Sequence, residues 1–181
     1  IQYRFISEPS TAVAELQAGN VDLVIPPTIP IGMIPTIEED ENIDIVTTVS
    51  PTVYAPRFNT GNGITADEKV RKAMIYGVDR QAIIDSILGG QAAPIASFQG
   101  ELSFGNDPSM KPLPYDPAKA QALLKEAGVA PGTKIQIDIR GNDATFNEVA
   151  QAVASYLQVI GLNATIKPYE TNVLLNDIIP A

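Results

Sequence analysis

The stretch that decides the fold of this chain runs from residue 134 to residue 169. It opens with Lys134-Ile135-Gln136-Ile137-Asp138-Ile139-Arg140, whose alternation of polar and apolar side chains predicts a strand with its isoleucines on one face. Leu162 to Tyr169 is a second predicted strand. Between them, apolar residues recur at helical spacing before Gly161, at Phe146, Val149, Ala150, Val153, Leu157 and Ile160. This order predicts a βαβ unit with parallel strands and a right-handed crossover.

Further helices are predicted upstream of this unit from their capping residues. Asp116-Pro117 supplies an N-cap and a proline at the first helical position. Asp79 predicts the N-cap of the preceding helix, and Thr65 with Glu68 predicts a capping box for the helix before that. A short helix is also expected near the start of the chain, with Ser10 or Thr11 close to its N-cap.

The remaining segments complete the predicted fold class. Residues 1–6, 21–25, 43–49 and 53–59 are rich in β-branched and aromatic residues and predict strands, whereas residues 91–114 lack periodicity and predict a long loop. The class is therefore α/β, with a mixed, partly parallel sheet and flanking helices. Because Ile1 already lies in a predicted strand and the helix predicted from Thr171 stops at Pro180, we expect both ends to be boundaries within a longer protein.

Composition excludes several classes of function. The formal charge is −9 with a pI of about 4.4, which argues against a nucleic-acid partner because phosphate binding needs clustered Lys and Arg. Cysteine and histidine are both absent, so disulfides, thiolate chemistry, histidine-dependent triads and His-ligated metal sites are excluded within this sequence. The acidic run at residues 38–41 is typical of a solvated surface rather than a calcium loop. We expect no metal site, no cofactor and no catalytic residue.

Three ordered motifs carry a resemblance to a known family. They are Ala14-Glu15-Leu16-Gln17-Ala18-Gly19-Asn20-Val21-Asp22, then Arg57-Phe58-Asn59 with Asp67-Glu68-Lys69-Val70-Arg71-Lys72-Ala73-Met74-Ile75-Tyr76-Gly77-Val78-Asp79-Arg80, and finally Tyr115-Asp116-Pro117-Ala118-Lys119-Ala120. Taken alone they are capped amphipathic helices, in which Arg71 and Asp79 are expected to be framework charges near helix ends. Together they resemble the family 5 extracellular solute-binding proteins, the oligopeptide, dipeptide and nickel receptors of ABC importers. One departure is Gly77, where Ala is usual in the family.

The resemblance implies a two-lobed protein of the periplasmic-binding-protein type II class that closes over its ligand like a hinge. Residues 1–181 are then a single fragment, most of the large C-terminal lobe. The implied function is capture of a di- or oligopeptide between the lobes for uptake, without enzymatic activity. The implied partners are the peptide and an ABC permease in the membrane. The implied location is extracytoplasmic, in the periplasm or lipid-anchored at the outer face of the cell membrane.

Two strand-to-helix loops are candidate ligand sites, because ligands of open α/β sheets lie outside the carboxyl ends of the strands. The second loop begins at Arg140, whose guanidinium can grip a carboxylate bidentately beside the N-terminus of the following helix. Alternatively, Arg140 is a solvent-facing strand-end charge or pairs with Asp138 or Asp143. In the same loop, Asn142 and Thr145 are candidate contacts or simple helix caps. Phe146 is expected in the core.

The first candidate loop is Pro26-Pro27-Thr28, of which Pro27 and Thr28 are assigned to the site. Since proline has no N–H, this loop offers carbonyl groups and shape. Further candidates are Tyr54, Arg57 and Asn59, although Asn59 stands beside a Gly-rich turn and is typical of one.

Other functions remain open from the sequence. The same fold can bind an oligosaccharide, an opine or a nickel chelate, although the lack of His and Trp disfavours metal-chelate and sugar ligands. A different class of function is a hydrolase with a pair of carboxylates, which needs two acids converging in one pocket. A third is a non-transport interaction or sensor module.

Overall fold

The computed structural model describes residues 1–25, 29, 31–48, 50, 52–141 and 143–179. Its contacts divide the chain into two units, residues 1–50 and residues 51–181, which are described separately. None of the described helices is both long enough and apolar enough to cross a membrane.

The first unit contains two short helices. Helix α1 spans Pro9–Gln17, and a 3-10 turn at Ile31–Met33 leads into helix α2, Ile34–Glu38. Glu8, and not the predicted Ser10 or Thr11, is the N-cap of α1, because proline is favoured at the first helical position. Residues with buried side chains include Ala12 and Val13 in α1 and Ile37 in α2.

The strands predicted at residues 1–6, 21–25 and 43–49 do not form within the described residues of the first unit. Several of their large apolar side chains are instead exposed, with Tyr3 at 80% and Phe5 at 99% of full exposure. The predicted strand at 53–59 in the second unit is also irregular. A strand requires a hydrogen-bonded neighbour, and β propensity alone does not supply one.

The second unit begins with helices connected by a long loop. After a 3-10 turn at Ile64–Ala66 come α3, Glu68–Tyr76, and α4, Arg80–Ile87. Residues 91–114 contain no helix or strand, as predicted, and α5 follows at Pro117–Glu126. The predicted caps Asp79 and Asp116 are confirmed, since each carboxylate accepts a backbone N–H from the first turn of its helix. The capping box is wrong: Asp67 caps α3 and accepts the Lys69 N–H at 2.7 Å.

The predicted βαβ unit is confirmed. Strand β1 spans Thr133–Arg140, helix α6 spans Ala144–Val159, and strand β2 spans Leu162–Tyr169. The two strands are parallel, with Thr133 opposite Leu162 and Arg140 opposite Tyr169. Gly161 ends α6 with φ of 100°, a left-handed conformation that L side chains rarely adopt. Helix α7, Thr171–Val173, and a π-helical turn at Leu174–Ile178 follow β2.

The core of this unit lies between one face of the sheet and three helices. Its buried members are small or branched apolar residues from α3, α5, α6, the turn that follows α6, and β2, namely Val70, Ala73, Ala120, Leu124, Ala154, Leu157, Ile160, Leu162 and Ala164. Ile135 and Ile137 of β1 pack against this cluster, so the isoleucine face of β1 is the inner face, as predicted. The outer face carries the polar side chains of both strands, and Arg140 and Tyr169 stand at its carboxyl end.

Candidate functional site

The candidate site lies where β1 ends and α6 begins. Arg140 is the last residue of β1, and the next residue donates a hydrogen bond from the Gly141 N–H to the Tyr169 carbonyl oxygen at 2.9 Å. A Cβ atom at position 141 would lie 3.0 Å from the Pro168 Cβ, so glycine allows this close passage of the two strands. The pairing with β2 therefore holds the backbone both at Arg140 and at the residue that follows it.

The first turn of α6 is fixed by its N-cap. The Asp143 carboxylate accepts the Phe146 N–H at 3.1 Å, and the Asn147 side-chain amide donates to the Asp143 carbonyl oxygen at 2.8 Å. The prediction that Thr145 is a cap is therefore wrong, because Asp143 occupies that position. Thr145 is exposed in the first turn, at the positive end of the helix dipole.

Three side chains stack at this point. The Arg140 guanidinium carbon lies 4.7 Å from the centre of the Phe146 ring. The Tyr54 ring meets Phe146 edge to face, with ring centres 5.3 Å apart and planes inclined by 61°. We call Arg140, Phe146 and Tyr54 the cation–aromatic stack. Both contacts are of kinds that stabilise beyond the burial of area alone.

Arg140 has no acidic partner in the described part of the chain. The two acids named as its alternative partners are engaged elsewhere: Asp138 accepts from the Gln136 side chain at 2.7 Å, and Asp143 caps α6. The sequence alternative of an ion pair with Asp138 or Asp143 is thus wrong. Among the other arginines, Arg4 pairs with Glu15 at 2.6 Å, whereas the guanidinium groups of Arg71 and Arg80 donate to backbone carbonyl oxygens.

A second cation stands on the neighbouring strand. The Lys167 Nζ lies 4.9 Å from the centre of the Tyr169 ring. The side-chain hydrogen bond to Tyr169 raises the pKa of Lys167 above its ordinary value, and the charge of Asp138 contributes in the same direction. Because Arg140 and Tyr169 are register partners, the two cation–aromatic pairs lie at the same end of the sheet.

Comparison with known proteins identifies the family. Residues 1–179 match the family described as bacterial extracellular solute-binding proteins, family 5 Middle. The chain belongs to family 5. The resemblance drawn from the three motifs is confirmed. Members of family 5 are solute-binding proteins, and none of the similar proteins described below is named as an enzyme.

Similar family 5 proteins are much longer than this chain. The glutathione-binding protein GsiB of Salmonella choleraesuis is 31% identical over 166 residues, which are 92% of this chain and 32% of GsiB. The ABC transporter substrate-binding protein CtaP of Listeria monocytogenes superposes with a TM-score of 0.84 at 25% identity, covering 96% of this chain and 35% of CtaP. NikZ of Campylobacter jejuni, solved with Ni(L-His), superposes with a TM-score of 0.75 at 27% identity, covering 96% of this chain and 37% of NikZ. The chain spans about a third of the length of its curated relatives.

The other predicted site residues do not all fall within the described part of the chain. Pro27, Thr28 and Asn142 lie outside the described residues. Arg57 is exposed and is not part of the cation–aromatic stack. Asn59 forms a turn, because its side-chain oxygen accepts the Gly61 N–H at 2.9 Å, which confirms the turn interpretation.

Phe146 was predicted to lie in the core, and the structure places it in the cation–aromatic stack instead. It is half-buried and lies outside the core cluster. The sequence did contain a signal for its contact with Arg140, because Phe146 follows a strand that ends in arginine and the short loop after it.

The framework charges were assigned correctly. The Arg71 guanidinium donates to the carbonyl oxygens of Thr65 and Ala66 at 2.8 and 2.9 Å, and Asp79 caps α4. These charged groups hold the 3-10 turn and α4 in place, and do not lie in the stack.

A separate cavity of about 300 Å³ lies between the start of α4 and the long loop. Its lining includes Asp79, Arg80 and three prolines, and none of the predicted site residues. The Arg80 guanidinium donates to the Leu113 carbonyl oxygen, and burial lowers the pKa of Arg80. This bond ties the loop to α4 and gives Arg80 a structural role. Among the described residues, no cluster of three or more acidic side chains is arranged to hold a metal ion.

Proposed function

We propose that this chain is part of the receptor subunit of an ABC importer, and that the full-length protein captures di- or oligopeptides in a cleft between two lobes. In this proposal residues 1–181 provide most of the large C-terminal lobe and the protein works outside the cytoplasm, delivering its ligand to a membrane permease. Membership of family 5 supports the receptor role. The relatives support the ligand class, since GsiB is named for glutathione, which is a tripeptide.

The observation that carries the proposal is the guanidinium of Arg140, which has no acidic partner within the described residues. It stands at the carboxyl end of a parallel strand, which is where α/β proteins bind ligands. Its planar N–H groups match a carboxylate in a bidentate arrangement. The first turn of α6, with Thr145, adds the positive end of a helix dipole on the same side of the loop.

The site works in the following way under this proposal. The carboxylate of the peptide binds Arg140, with Asn142 and Thr145 as neighbouring polar contacts. Pro27, Thr28, Arg57 and Asn59 are assigned to the wider cleft by the sequence prediction. Closure of the second lobe removes water and strengthens these contacts, because charge-assisted hydrogen bonds gain strength where the local dielectric falls.

Calorimetry on the full-length protein tests this assignment. Arg140→Ala should weaken binding of di- and tripeptides by about 10- to 150-fold, because hydrogen bonds to charged groups contribute about 1.5–3 kcal/mol. The peptide affinity of Arg140→Lys should lie between those of the unmodified protein and of Arg140→Ala, since an ammonium keeps the charge and loses the bidentate geometry. Arg4→Lys is the matched control and should leave affinity unchanged, because Arg4 already pairs with Glu15.

The possible results distinguish three claims: the role of Arg140, the ligand class, and capture between two lobes. Unchanged affinity in Arg140→Ala would remove Arg140 from the site and leave peptide capture intact. No peptide binding by the full-length protein would refute the proposed ligand class. Equal affinity of residues 1–181 alone and of the full-length protein would refute capture between two lobes.

A second candidate keeps the fold and changes the ligand to a nickel chelate. NikZ, solved with Ni(L-His), is 27% identical to this chain and supports this alternative. The carboxylates of a chelate can bind the same guanidinium, so Ni(L-His) belongs in the same calorimetric series. Binding of this complex in preference to peptides would favour the alternative.

A further inference from the structure

We infer that Phe146 is a positioning residue that presents the Arg140 guanidinium edge-on to a ligand carboxylate, and so makes the site selective for ligands with a free carboxylate. The inference rests on the proposed function and adds a specificity residue to it. Its basis is the cation–aromatic stack, together with the missing acidic partner of Arg140 in the described chain.

When a guanidinium stacks on an aromatic ring, one of its faces is occupied and its N–H groups remain available for hydrogen bonds. The group is planar, its faces stack on aromatic rings, and its N–H bonds point outward in the plane. The guanidinium carbon of Arg140 lies over the Phe146 ring at 4.7 Å from its centre, so the ring occupies one side of the group. The N–H edge is then left to bind a carboxylate with two parallel hydrogen bonds.

The stack is held in place from both ends. Arg140 is anchored by the pairing of β1 with β2, and the backbone of Phe146 is anchored by the Asp143 cap. Tyr54 packs edge-on against the Phe146 ring. A free arginine side chain loses rotamer entropy when it binds a ligand, and a stacked one has already lost part of it. Phe146 therefore favours carboxylate binding without touching the ligand.

The test compares a peptide acid with its amide on the full-length protein. The probes are trialanine and trialanine C-terminal amide, and the quantity is the ratio of their dissociation constants by calorimetry. Phe146→Leu keeps a similar apolar volume and removes the ring. It should lower the preference for the acid by about two- to fivefold, which is the range of an exposed cation–π contact. Phe146→Tyr keeps the ring and should preserve the preference.

A matched control separates this effect from a general loss of structure. Phe104 is fully exposed in the long loop, and Phe104→Leu should leave both affinities unchanged. If Phe146→Leu weakens binding of the acid and of the amide equally, or weakens neither, Phe146 has no positioning role. If the unmodified protein binds acid and amide equally well, the carboxylate subsite and this inference fail while peptide capture stands. If it binds neither probe, the inference fails together with the proposed function.

Discussion

Replacement of Gly77 by alanine tests the packing between α3 and the end of α6. Gly77 lies at the C-terminal end of α3, and a Cβ there would be 2.7 Å from the Ile160 Cδ1 and 3.0 Å from its Cγ2. It would also lie 3.1 Å from the Ala73 carbonyl oxygen, which already accepts the Gly77 N–H. Carbon atoms prefer separations of about 3.5–4.0 Å, so Ile160 has to move by nearly an ångström.

The expected change in the free energy of unfolding follows from two opposing effects. Overpacking a well-packed core costs about 1–3 kcal/mol. The backbone of Gly77 has φ of −78°, which alanine adopts freely, so the reduced entropy of the unfolded chain returns about 0.4–1 kcal/mol. Gly77→Ala should therefore destabilise the protein by about 0.5–2 kcal/mol.

Urea denaturation followed by circular dichroism measures this effect, and Ile160→Val provides its internal check. Removing Cδ1 should cost about 0.5–1.5 kcal/mol in the unmodified protein and less in the presence of Gly77→Ala, because it removes the nearest clashing atom. Gly32→Ala is the control, since no atom of the described residues lies within 4 Å of its Cβ position. A neutral Gly77→Ala, or a double variant whose effects add within about 0.3 kcal/mol, would refute the packing argument.

Two further predictions concern pH and capping. Burial raises the pKa of Tyr156 above its ordinary value, with the charges of Asp79 and Tyr115 contributing. The unfolded chain therefore ionises first as pH rises above about 10, and stability falls from there until the folded pKa is passed. Tyr156→Phe should reduce this alkaline loss in denaturation midpoints measured between pH 9 and about 11, and an unchanged pH profile would contradict it. Asp143→Ala should destabilise the protein by about 0.5–2 kcal/mol through loss of the α6 cap, whereas Asp143→Asn, an equally good cap, should not. Equal effects of both would show that the charge of Asp143 matters and the cap does not.

Local patterns predicted the second unit well, because its elements are specified by neighbours in sequence. The alternation at residues 134–140 and the helical spacing after Phe146 both span one element, and a topological rule joins them into a parallel pair. Asp79 and Asp116 were recognised as caps for the same reason, since an N-cap acts within three residues. The error at Thr65 was a shift of two residues, and its hydroxyl donates to the Asn59 carbonyl oxygen instead.

Predictions that depended on distant partners were less successful. The segments at residues 1–6 and 53–59 have the composition of strands, yet pairing depends on which other segment lies beside them, and composition carries no such information. The same limit explains the error at Phe146. Its position at the start of an apolar stripe is typical of a core residue, and the sequence pattern does not show that its ring contacts Arg140 and Tyr54 instead.

The position of the candidate site follows from how the acidic residues near Arg140 are used. The chain contains 21 acidic residues, and none of those that the structure describes forms an ion pair with Arg140. The Asp143 carboxylate caps the first turn of α6, and the Asp138 carboxylate accepts a hydrogen bond from Gln136 on the same strand. Each acid is thus engaged by the local structure that creates the strand-to-helix loop. The loop geometry that brings Arg140 beside Phe146 is therefore also what leaves its guanidinium available to a carboxylate from outside the chain.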